Sequence, residues 1–179
     1  MITYNKKLAL VTGANSGMGK ATVAALADKG YTVVMACRSK ERGEAALLEL
    51  LQGTKRDIRL LLCDLGSMED IRRFTEEFKM EYQHLDILIN NAGVVSLDRR
   101  ETKDLLEEQF GVNHIGHFLL TMGLLELMEP GSRIVVVASG AHKVGKIHFD
   151  DYNLTSGFNV IKAYAQSKLA NVLFTDRKS

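Results

Sequence analysis

A tyrosine and a lysine four residues apart, Tyr164 and Lys168, are the side chains of this sequence best suited to proton transfer. This spacing places both on one face of a helix, with Asn171 roughly in line. A free phenol has a pKa of about 10, which is too high for efficient proton exchange near neutrality. A neighbouring ammonium stabilises the phenolate, so a lysine is chemically the right neighbour. The pair therefore predicts proton transfer to or from a carbonyl or hydroxyl group.

Two further polar side chains precede this pair. Ser139 lies just past an apolar run that predicts a strand, at the carboxyl edge where open α/β sheets bind ligands. Its hydroxyl could hydrogen-bond a substrate oxygen, or it could be an ordinary serine at the end of a strand. Asn113 lies within a helical pattern, where asparagine has poor propensity and competes with the backbone for hydrogen bonds. Both are candidate site residues.

A glycine-rich turn follows the first apolar run of the chain. It lies between a buried strand and the start of a helix, where glycines let backbone N–H groups approach a pyrophosphate closely. The helix dipole favours negative charge at the same place. A tight strand-to-helix connection without a ligand is the alternative. The turn predicts a nucleotide site formed by Gly13, Asn15, Ser16, Gly17, Met18 and Gly19.

The end of the second predicted strand indicates which dinucleotide is bound. A protein that prefers NAD usually places Asp or Glu there, about twenty residues beyond the turn, on the ribose 2′-hydroxyl. This sequence has Arg38 instead, which can form a forked, charge-assisted pair with a 2′-phosphate. We therefore predict NADP(H) in preference to NAD(H), although Arg38 could also be a solvated loop residue. At the end of the third strand, Asp64 could accept a hydrogen bond from the adenine amino group, or it could cap a turn before Gly66.

Short apolar runs alternate with longer helical patterns, which is typical of βαβ units in a parallel sheet. The predicted fold is α/β, a Rossmann-like doubly wound parallel sheet in three layers. The sequence has no repeats, low-complexity stretches or linkers, so residues 1–179 are predicted to form one domain. Strands are predicted over residues 8–11, 31–36, 58–63, 85–89 and 133–138. Helices are predicted over residues 21–29, 40–51 and 103–128, and from residue 159 onward. A further helix is predicted to begin at a capping box formed by Ser67 and Asp70 and to continue to residue 80.

Composition narrows the partners that this chain can have. Hydrophobic residues make up 46% and charged residues 25%, as in soluble globular proteins, and the net charge of +1 gives no reason to expect nucleic acid. Cys37 and Cys63 lack metal-ligand spacing and are predicted to be core residues. Three histidines, His114, His117 and His142, are expected to be packed or surface residues rather than metal ligands. No segment resembles a signal peptide or membrane span, so we expect a cytoplasmic protein without a membrane anchor.

Taken in order, these residues resemble the short-chain dehydrogenase/reductase family. The resemblance extends over almost the whole chain, and the turn and the Tyr/Lys pair are far more specific together than apart. Segments 36–39, 141–147 and 164–174 are similar to the retinol-dehydrogenase-like branch. The shared motifs are Thr-Gly-x-x-x-Gly-x-Gly at 12–19, Asp64-Leu65, Asn90-Asn91-Ala92-Gly93, Asn113, Ser139 and Tyr164-x-x-x-Lys168.

The resemblance implies roles for these residues. Tyr164 would donate a proton during carbonyl reduction and accept one during alcohol oxidation, and Ser139 would hold the substrate oxygen. Lys168 would also bind the nicotinamide ribose, and Asn113 would open its helix locally and hold a water linked to that lysine. The implied catalytic set is Asn113, Ser139, Tyr164 and Lys168, and the implied cofactor contacts beyond the turn and Arg38 are Asp64, Leu65, Asn91, Ala92, Gly93, Tyr164 and Lys168.

The family usually adds a sixth strand and a substrate-covering segment after the Tyr/Lys helix, whereas this chain continues only to residue 179. With the family strand order 3-2-1-4-5, the fifth strand is expected to be an open edge. Two function classes therefore stay open. The first is an NADP(H)-dependent oxidoreductase that interconverts a carbonyl (aldehyde or ketone) and an alcohol, with an apolar substrate and a possible homo-oligomeric state. The second is a catalytically silent nucleotide-binding or interaction protein.

Overall fold

The computed structural model describes residues 6–175, and the predicted domain extends beyond them at both ends. Its centre is a five-stranded, wholly parallel sheet in the order β3-β2-β1-β4-β5. This order and the α/β class confirm the predicted fold. The strands are β1 (Leu8–Thr12), β2 (Thr32–Cys37), β3 (Asp57–Leu62), β4 (Ile87–Asn90) and β5 (Arg133–Val136).

Helices connect successive strands and cover both faces of the sheet. Ser39 and Ser67 each begin a helix as its N-cap, with the hydroxyl accepting a hydrogen bond from a backbone N–H three residues later. The helices are α1 (Gly17–Asp28), α2 (Lys40–Leu51), α3 (Met68–Glu81), α4 (Glu108–Phe110), α5 (Gly116–Leu124) and α6 (Val160–Thr175), with a π-helical turn at Gly111–Ile115 and 3-10 turns at Leu125–Leu127 and Gly140–Val144.

Alternate residues of β1 face two separate cores. Leu8 and Leu10 pack with the apolar face of α3 and with α5, whereas Ala9 and Val11 pack with α1 and α2. This alternation follows from the period of two in a strand, and both sets are apolar because helices cover both faces. The two cores hold the carboxyl ends of the strands at one edge, where the predicted site residues lie.

β5 is the outermost strand on one side of the described sheet, where it pairs with β4. Ile134 is 37% exposed and Val135 is 45% exposed, although both side chains are apolar as in a strand covered on both faces. The expected open edge is therefore present in the described part of the chain.

Two local predictions were wrong in detail. The helix predicted from residue 103 begins at Glu108, because Leu105 adopts a left-handed backbone (φ 60°) and a bridge joins Glu101 to Glu107. The buried Glu107 carboxylate then caps the helix by accepting hydrogen bonds from the next turn. The predicted capping box is half formed, because the carboxylate of Asp70 accepts from the N–H of Asp64 rather than from that of the N-cap serine.

Candidate active site and cofactor cavity

The glycine turn between β1 and α1 is held tightly against the end of β4. Gly13 and Gly17 have positive φ angles of 62° and 50°. A Cβ atom at Gly19 would lie 2.4 Å from the carbonyl oxygen of Gly13 and 2.6 Å from Nδ2 of Asn91. Only glycine fits this contact, and the close packing leaves the N-terminus of α1 facing the cavity beside the turn.

Thr12 fixes the opposite wall of that cavity. Its hydroxyl oxygen accepts hydrogen bonds from the backbone N–H groups of Asn91 at 2.9 Å and Ala92 at 3.0 Å. In return, Nδ2 of Asn91 donates to the carbonyl oxygen of Thr12 at 2.9 Å. The segment after β4 is therefore attached to the end of β1 by side-chain bonds that do not belong to the sheet.

A cavity of about 400 Å³ opens between this segment and the glycine turn. Every cofactor residue that the sequence predicts outside α6 contributes to its lining. The structure therefore brings together residues from four separate strand ends, as expected at the carboxyl edge of a parallel sheet. They are Gly13, Asn15, Ser16, Gly17, Met18, Gly19, Arg38, Asp64, Leu65, Asn91, Ala92 and Gly93.

One end of the cavity is strongly basic. Arg38 and Arg42 both line it, on either side of the N-cap residue Ser39. Both are exposed, and within residues 6–175 neither guanidinium forms an ion pair. Arg42 was not among the predicted cofactor residues, although it is a second basic residue in the first turn of the helix after β2.

Asp64 lines the cavity and caps a turn at the same time. Its Oδ1 accepts a hydrogen bond from the N–H of Gly66 at 3.0 Å, and its Oδ2 lies 3.3 Å from Nζ of Lys103. The turn-capping alternative is therefore present, while the adenine contact stays a prediction.

Tyr164 and Lys168 lie one turn apart on α6, as their spacing predicts. Nζ of Lys168 is 5.6 Å from the centroid of the tyrosine ring and donates a hydrogen bond to the carbonyl oxygen of Val137 at 3.0 Å. Only 3% of the lysine surface is exposed, and burial lowers the pKa of its ammonium. A lowered pKa makes proton release easier from this lysine than from one in water.

Asn113 is fully buried within the π-helical turn, so the local opening that the resemblance implied is found at this residue. Its Oδ1 accepts a hydrogen bond from the N–H of Val94 at 2.7 Å. Its Nδ2 donates to the carbonyl oxygen of Val94 at 3.0 Å and to the hydroxyl of Ser167 at 3.1 Å. The side chain thus joins the segment after β4 to helix α6.

Gly93 is where the cavity meets the catalytic candidates. A Cβ atom built there would lie 3.6 Å from Oδ1 of Asn113 and 3.7 Å from Nζ of Lys168. Gly93 itself lines the cavity. The amide and the ammonium are therefore next to the space in which a dinucleotide would lie.

Ser139 follows β5, which ends at Val136 rather than at the predicted residue 138, and its hydroxyl is engaged locally. It accepts a hydrogen bond from the N–H of Ala141 at 3.3 Å and so caps the 3-10 turn. That turn packs against α6, where a Cβ atom at Gly145 would lie 2.5 Å from the carbonyl oxygen of Ala165. The structure thus brings the serine to the helix that carries Tyr164, without a hydrogen bond between the two hydroxyls among the described residues.

Comparison with known proteins places these features in one family. A family model described as short chain dehydrogenase matches residues 7–177. The chain belongs to the short-chain dehydrogenase family. Retinol dehydrogenase 14 of Mus musculus is 45% identical to this short-chain dehydrogenase, over 94% of the chain and 54% of the relative. Polyprenol dehydrogenase of Homo sapiens is 42% identical, over 94% of the chain and 53% of the relative. The chain therefore spans about half the length of the curated relatives that it matches.

Solved structures show the same fold. A protein from Mycobacterium paratuberculosis superposes with a TM-score of 0.85 at 40% identity, covering 94% of this chain and 60% of that one. A short chain dehydrogenase from Escherichia coli CFT073, complexed with NADPH, gives a TM-score of 0.76 at 24% identity, with 95% of this chain and 69% of that one covered.

Within residues 6–175, no group of three His, Cys, Asp or Glu side chains is placed to hold a metal ion. Cys37 and Cys63 are free and buried, and burial raises the pKa of Cys63 to about 12. None of the helices in this part of the chain is long and apolar enough to cross a membrane.

Proposed function

We propose that this short-chain dehydrogenase carries the NADP(H) site and the proton-transfer residues of an oxidoreductase that interconverts a carbonyl compound and an alcohol. The observation that carries the proposal is the junction at Gly93. Nζ of Lys168 and Oδ1 of Asn113 both lie within van der Waals distance of the position of its Cβ, at the wall of the cavity. A dinucleotide in the cavity would therefore extend toward the helix that carries Tyr164.

The residues that line the cavity are suited to NADP(H). Gly13 and Gly19 allow the turn to pack against Asn91 and Ala92 where a Cβ atom would clash, and the N-terminus of α1 beside it attracts a pyrophosphate. Arg38 and Arg42 would hold the 2′-phosphate, since two guanidinium groups that form no ion pair within the described part of the chain favour an anion over a ribose hydroxyl. Lys168 would hold the nicotinamide ribose. NADP(H), when bound, supplies or accepts the hydride.

Tyr164 would move the proton. Its ring lies on the same face of α6 as Lys168, with Nζ of the lysine 5.6 Å from the ring centroid, so the two groups are close enough to act together in proton transfer. Ser139 would donate its hydroxyl proton to the substrate oxygen. The hydroxyl oxygen can accept from the N–H of Ala141 at the same time, as it does in the structure. Asn113 would keep the segment around Gly93 against α6.

The relatives suggest the class of substrate. Two of them are named retinol dehydrogenase and polyprenol dehydrogenase, and both names refer to apolar alcohols. We therefore propose an apolar alcohol, or the matching aldehyde or ketone, as the substrate of the protein that contains this chain.

A second candidate is a nucleotide-binding protein without turnover. Two observations favour it: the hydroxyl of Ser139 already caps a turn, and Nζ of Lys168 donates to the carbonyl oxygen of Val137. Binding and turnover separate the two candidates.

Calorimetric titration with NADPH and NADH tests the cofactor assignment. We expect NADPH to bind at least about tenfold more tightly than NADH. Arg38→Ala or Arg42→Ala should each reduce the ratio of the NADH Kd to the NADPH Kd by about tenfold, because each variant deletes a charge-assisted hydrogen bond to the 2′-phosphate. Lys40→Ala is the matched control, since Lys40 lies on the same turn of α2, pairs with Glu44 and does not line the cavity. Equal affinity for both cofactors, unchanged by the arginine variants, contradicts the NADP(H) proposal.

NADPH oxidation in the presence of retinal tests the reaction. Turnover supports the oxidoreductase. Tight NADPH binding without any turnover over a panel of apolar aldehydes supports the silent alternative for this chain.

A further inference from the structure

His117 is a fully buried histidine between the cofactor wall and the catalytic turn. It lies on α5, one helical turn after Asn113, and only 1% of its surface is exposed. Its Nδ1 lies 3.0 Å from the carbonyl oxygen of Asn113, and its Nε2 lies 2.8 Å from the hydroxyl oxygen of Thr12. The ring therefore bridges two residues that are far apart in the chain.

The contacts of Thr12 determine the positions of its own hydroxyl proton and of the ring proton of His117. Its hydroxyl oxygen accepts from the N–H groups of Asn91 and Ala92, which occupy both lone pairs. The hydroxyl proton is then directed to Nε2 of His117, since the alternative acceptor, the carbonyl oxygen of Ile89, is 3.4 Å away. A carbonyl oxygen can only accept, so Nδ1 carries the ring proton and donates it to Asn113.

The proton positions require a neutral ring with a donor at one end and an acceptor at the other. Burial lowers the pKa of His117 to about 4, which agrees with a neutral imidazole near neutral pH. No other side chain presents two such atoms on one rigid ring.

Each end of this bridge leads to a different part of the proposed site. At one end, Thr12 holds the backbone of Asn91 and Ala92 in the cavity wall. At the other end, Asn113 holds Val94, next to Gly93. We infer that His117 is a positioning residue, whose two ring nitrogens fix the cofactor wall and the turn of Asn113 at a set distance from each other. This inference rests on the proposed function.

Two amide variants test the two hydrogen bonds of His117 separately, because each variant keeps one bond and removes the other. The amide of Asn reaches the position of Nδ1, and the amide of Gln reaches that of Nε2, because each is the same number of bonds from Cβ as the corresponding ring nitrogen. His117→Asn keeps the bond to Asn113 and loses the one to Thr12. His117→Gln keeps the bond to Thr12 and loses the one to Asn113.

The variants are compared by calorimetric NADPH affinity and by turnover at saturating NADPH. For His117→Asn we expect the Kd for NADPH to rise about tenfold with turnover changed less than about threefold. For His117→Gln we expect turnover to fall about tenfold with a Kd within about twofold of wild type. Thr121→Val is the matched control, because it removes another buried hydrogen bond of α5, from Asn90 to Thr121, outside this bridge. It should lower the melting temperature alone.

Several results would overturn the inference. One is that both amide variants change affinity and turnover in equal proportion. Another is that both change only the melting temperature, as the control does. A ¹⁵N NMR spectrum that shows the ring proton of His117 on Nε2 would also contradict the bridge.

Failure of the proposed function is distinguishable from failure of this inference. If the wild-type chain binds no NADPH, the proposed cofactor is wrong. Amide hydrogen exchange then decides about His117. We expect His117→Asn to accelerate exchange at Asn91 and Ala92, and His117→Gln to accelerate exchange in the π-helical turn at Gly111–Ile115. Equal acceleration at both places in both variants would contradict the bridge.

Discussion

Acidification provides a direct test of the buried, neutral state of His117. In the folded chain the pKa of this histidine is lowered from 6.5 to about 4, mainly by burial. The hydrogen bond to the carbonyl oxygen of Asn113 opposes this shift, and the charges of Lys168 and His114 add to it in smaller degree. The unfolded chain therefore binds a proton near pH 6.5, whereas the folded chain binds it only near pH 4. Since the unfolded state binds more protons between these values, the free energy of unfolding decreases as the pH falls through this window.

The size of the effect follows from the two pKa values. At about 1.4 kcal/mol per pKa unit, the complete contribution of His117 is about 3 kcal/mol, reached below pH 4. Between pH 7.5 and pH 5, protonation of the unfolded chain alone accounts for about 2 kcal/mol. The ring is fully buried, so solvent screening does not reduce this figure appreciably.

Urea unfolding followed by circular dichroism at both pH values gives the measurement. The wild type should lose about 2 kcal/mol more than His117→Asn, because asparagine does not titrate and the other groups contribute equally to both chains. Thr121→Val should follow the wild type, since it removes a buried hydrogen bond and leaves the histidine in place. Parallel pH profiles for the wild type and His117→Asn would refute the buried neutral state.

Three further substitutions test the site and the sheet. Tyr164→Phe should lower turnover at least about 100-fold while calorimetry shows an NADPH Kd within about twofold of wild type; near-normal turnover would exclude the phenol as proton donor. Gly19→Ala should lower the free energy of unfolding by about 1–3 kcal/mol and weaken NADPH binding, because its Cβ would lie 2.4 Å from the oxygen of Gly13. Gly140→Ala is its control in the same urea titration, since nothing lies within 4 Å of its Cβ position. Val135→Lys, at a position that is 45% exposed on the edge strand, should reduce aggregation in light scattering without lowering the melting temperature, and unchanged aggregation would exclude this edge as its cause.

The sequence was sufficient to predict most of the fold because its strongest patterns are local. Helix α2 spans Lys40–Leu51, as the sequence predicts, between a serine cap and Gly53 with a φ of 68°. Alternate residues of β1 face different cores, and both are apolar, which produces the continuous apolar run. The strand order was predicted from the family resemblance rather than from these patterns.

The start of the helix before Asn113 could not be predicted from the same patterns. Residues 103–107 have a helical composition, but contacts with distant residues stabilise another conformation. The N–H of Lys103 donates to the carbonyl oxygen of Gly66, and the N–H of Glu107 donates to the side chain of Asn153. Propensity is a weak predictor where such tertiary hydrogen bonds compete with the helix.

In the site as well, local motifs could be predicted from the sequence, whereas contacts between residues distant in the chain could not. The glycine turn and the Tyr/Lys pair could be predicted because each is a short motif within one element and its neighbouring turn. Arg42 was missed because its importance depends on the direction of α2 relative to the cavity. His117 was expected to be a packed or surface residue, and it is packed, but its bonds to Thr12 and Asn113 depend on the approach of α5 to β1, and Thr12 is 105 residues away in the chain.

Buried polar side chains at the carboxyl edge of the sheet give a physical reason to regard this region as a site. Asn113, His117 and Lys168 are each at most 3% exposed, and each forms a hydrogen bond to a main-chain carbonyl oxygen. Burying such groups costs free energy unless they are bonded, and an apolar core of the same shape would be at least as stable. The hydrogen bonds of this buried polar cluster offset that cost and fix its atoms in place next to the cavity, as a proton-transfer site requires.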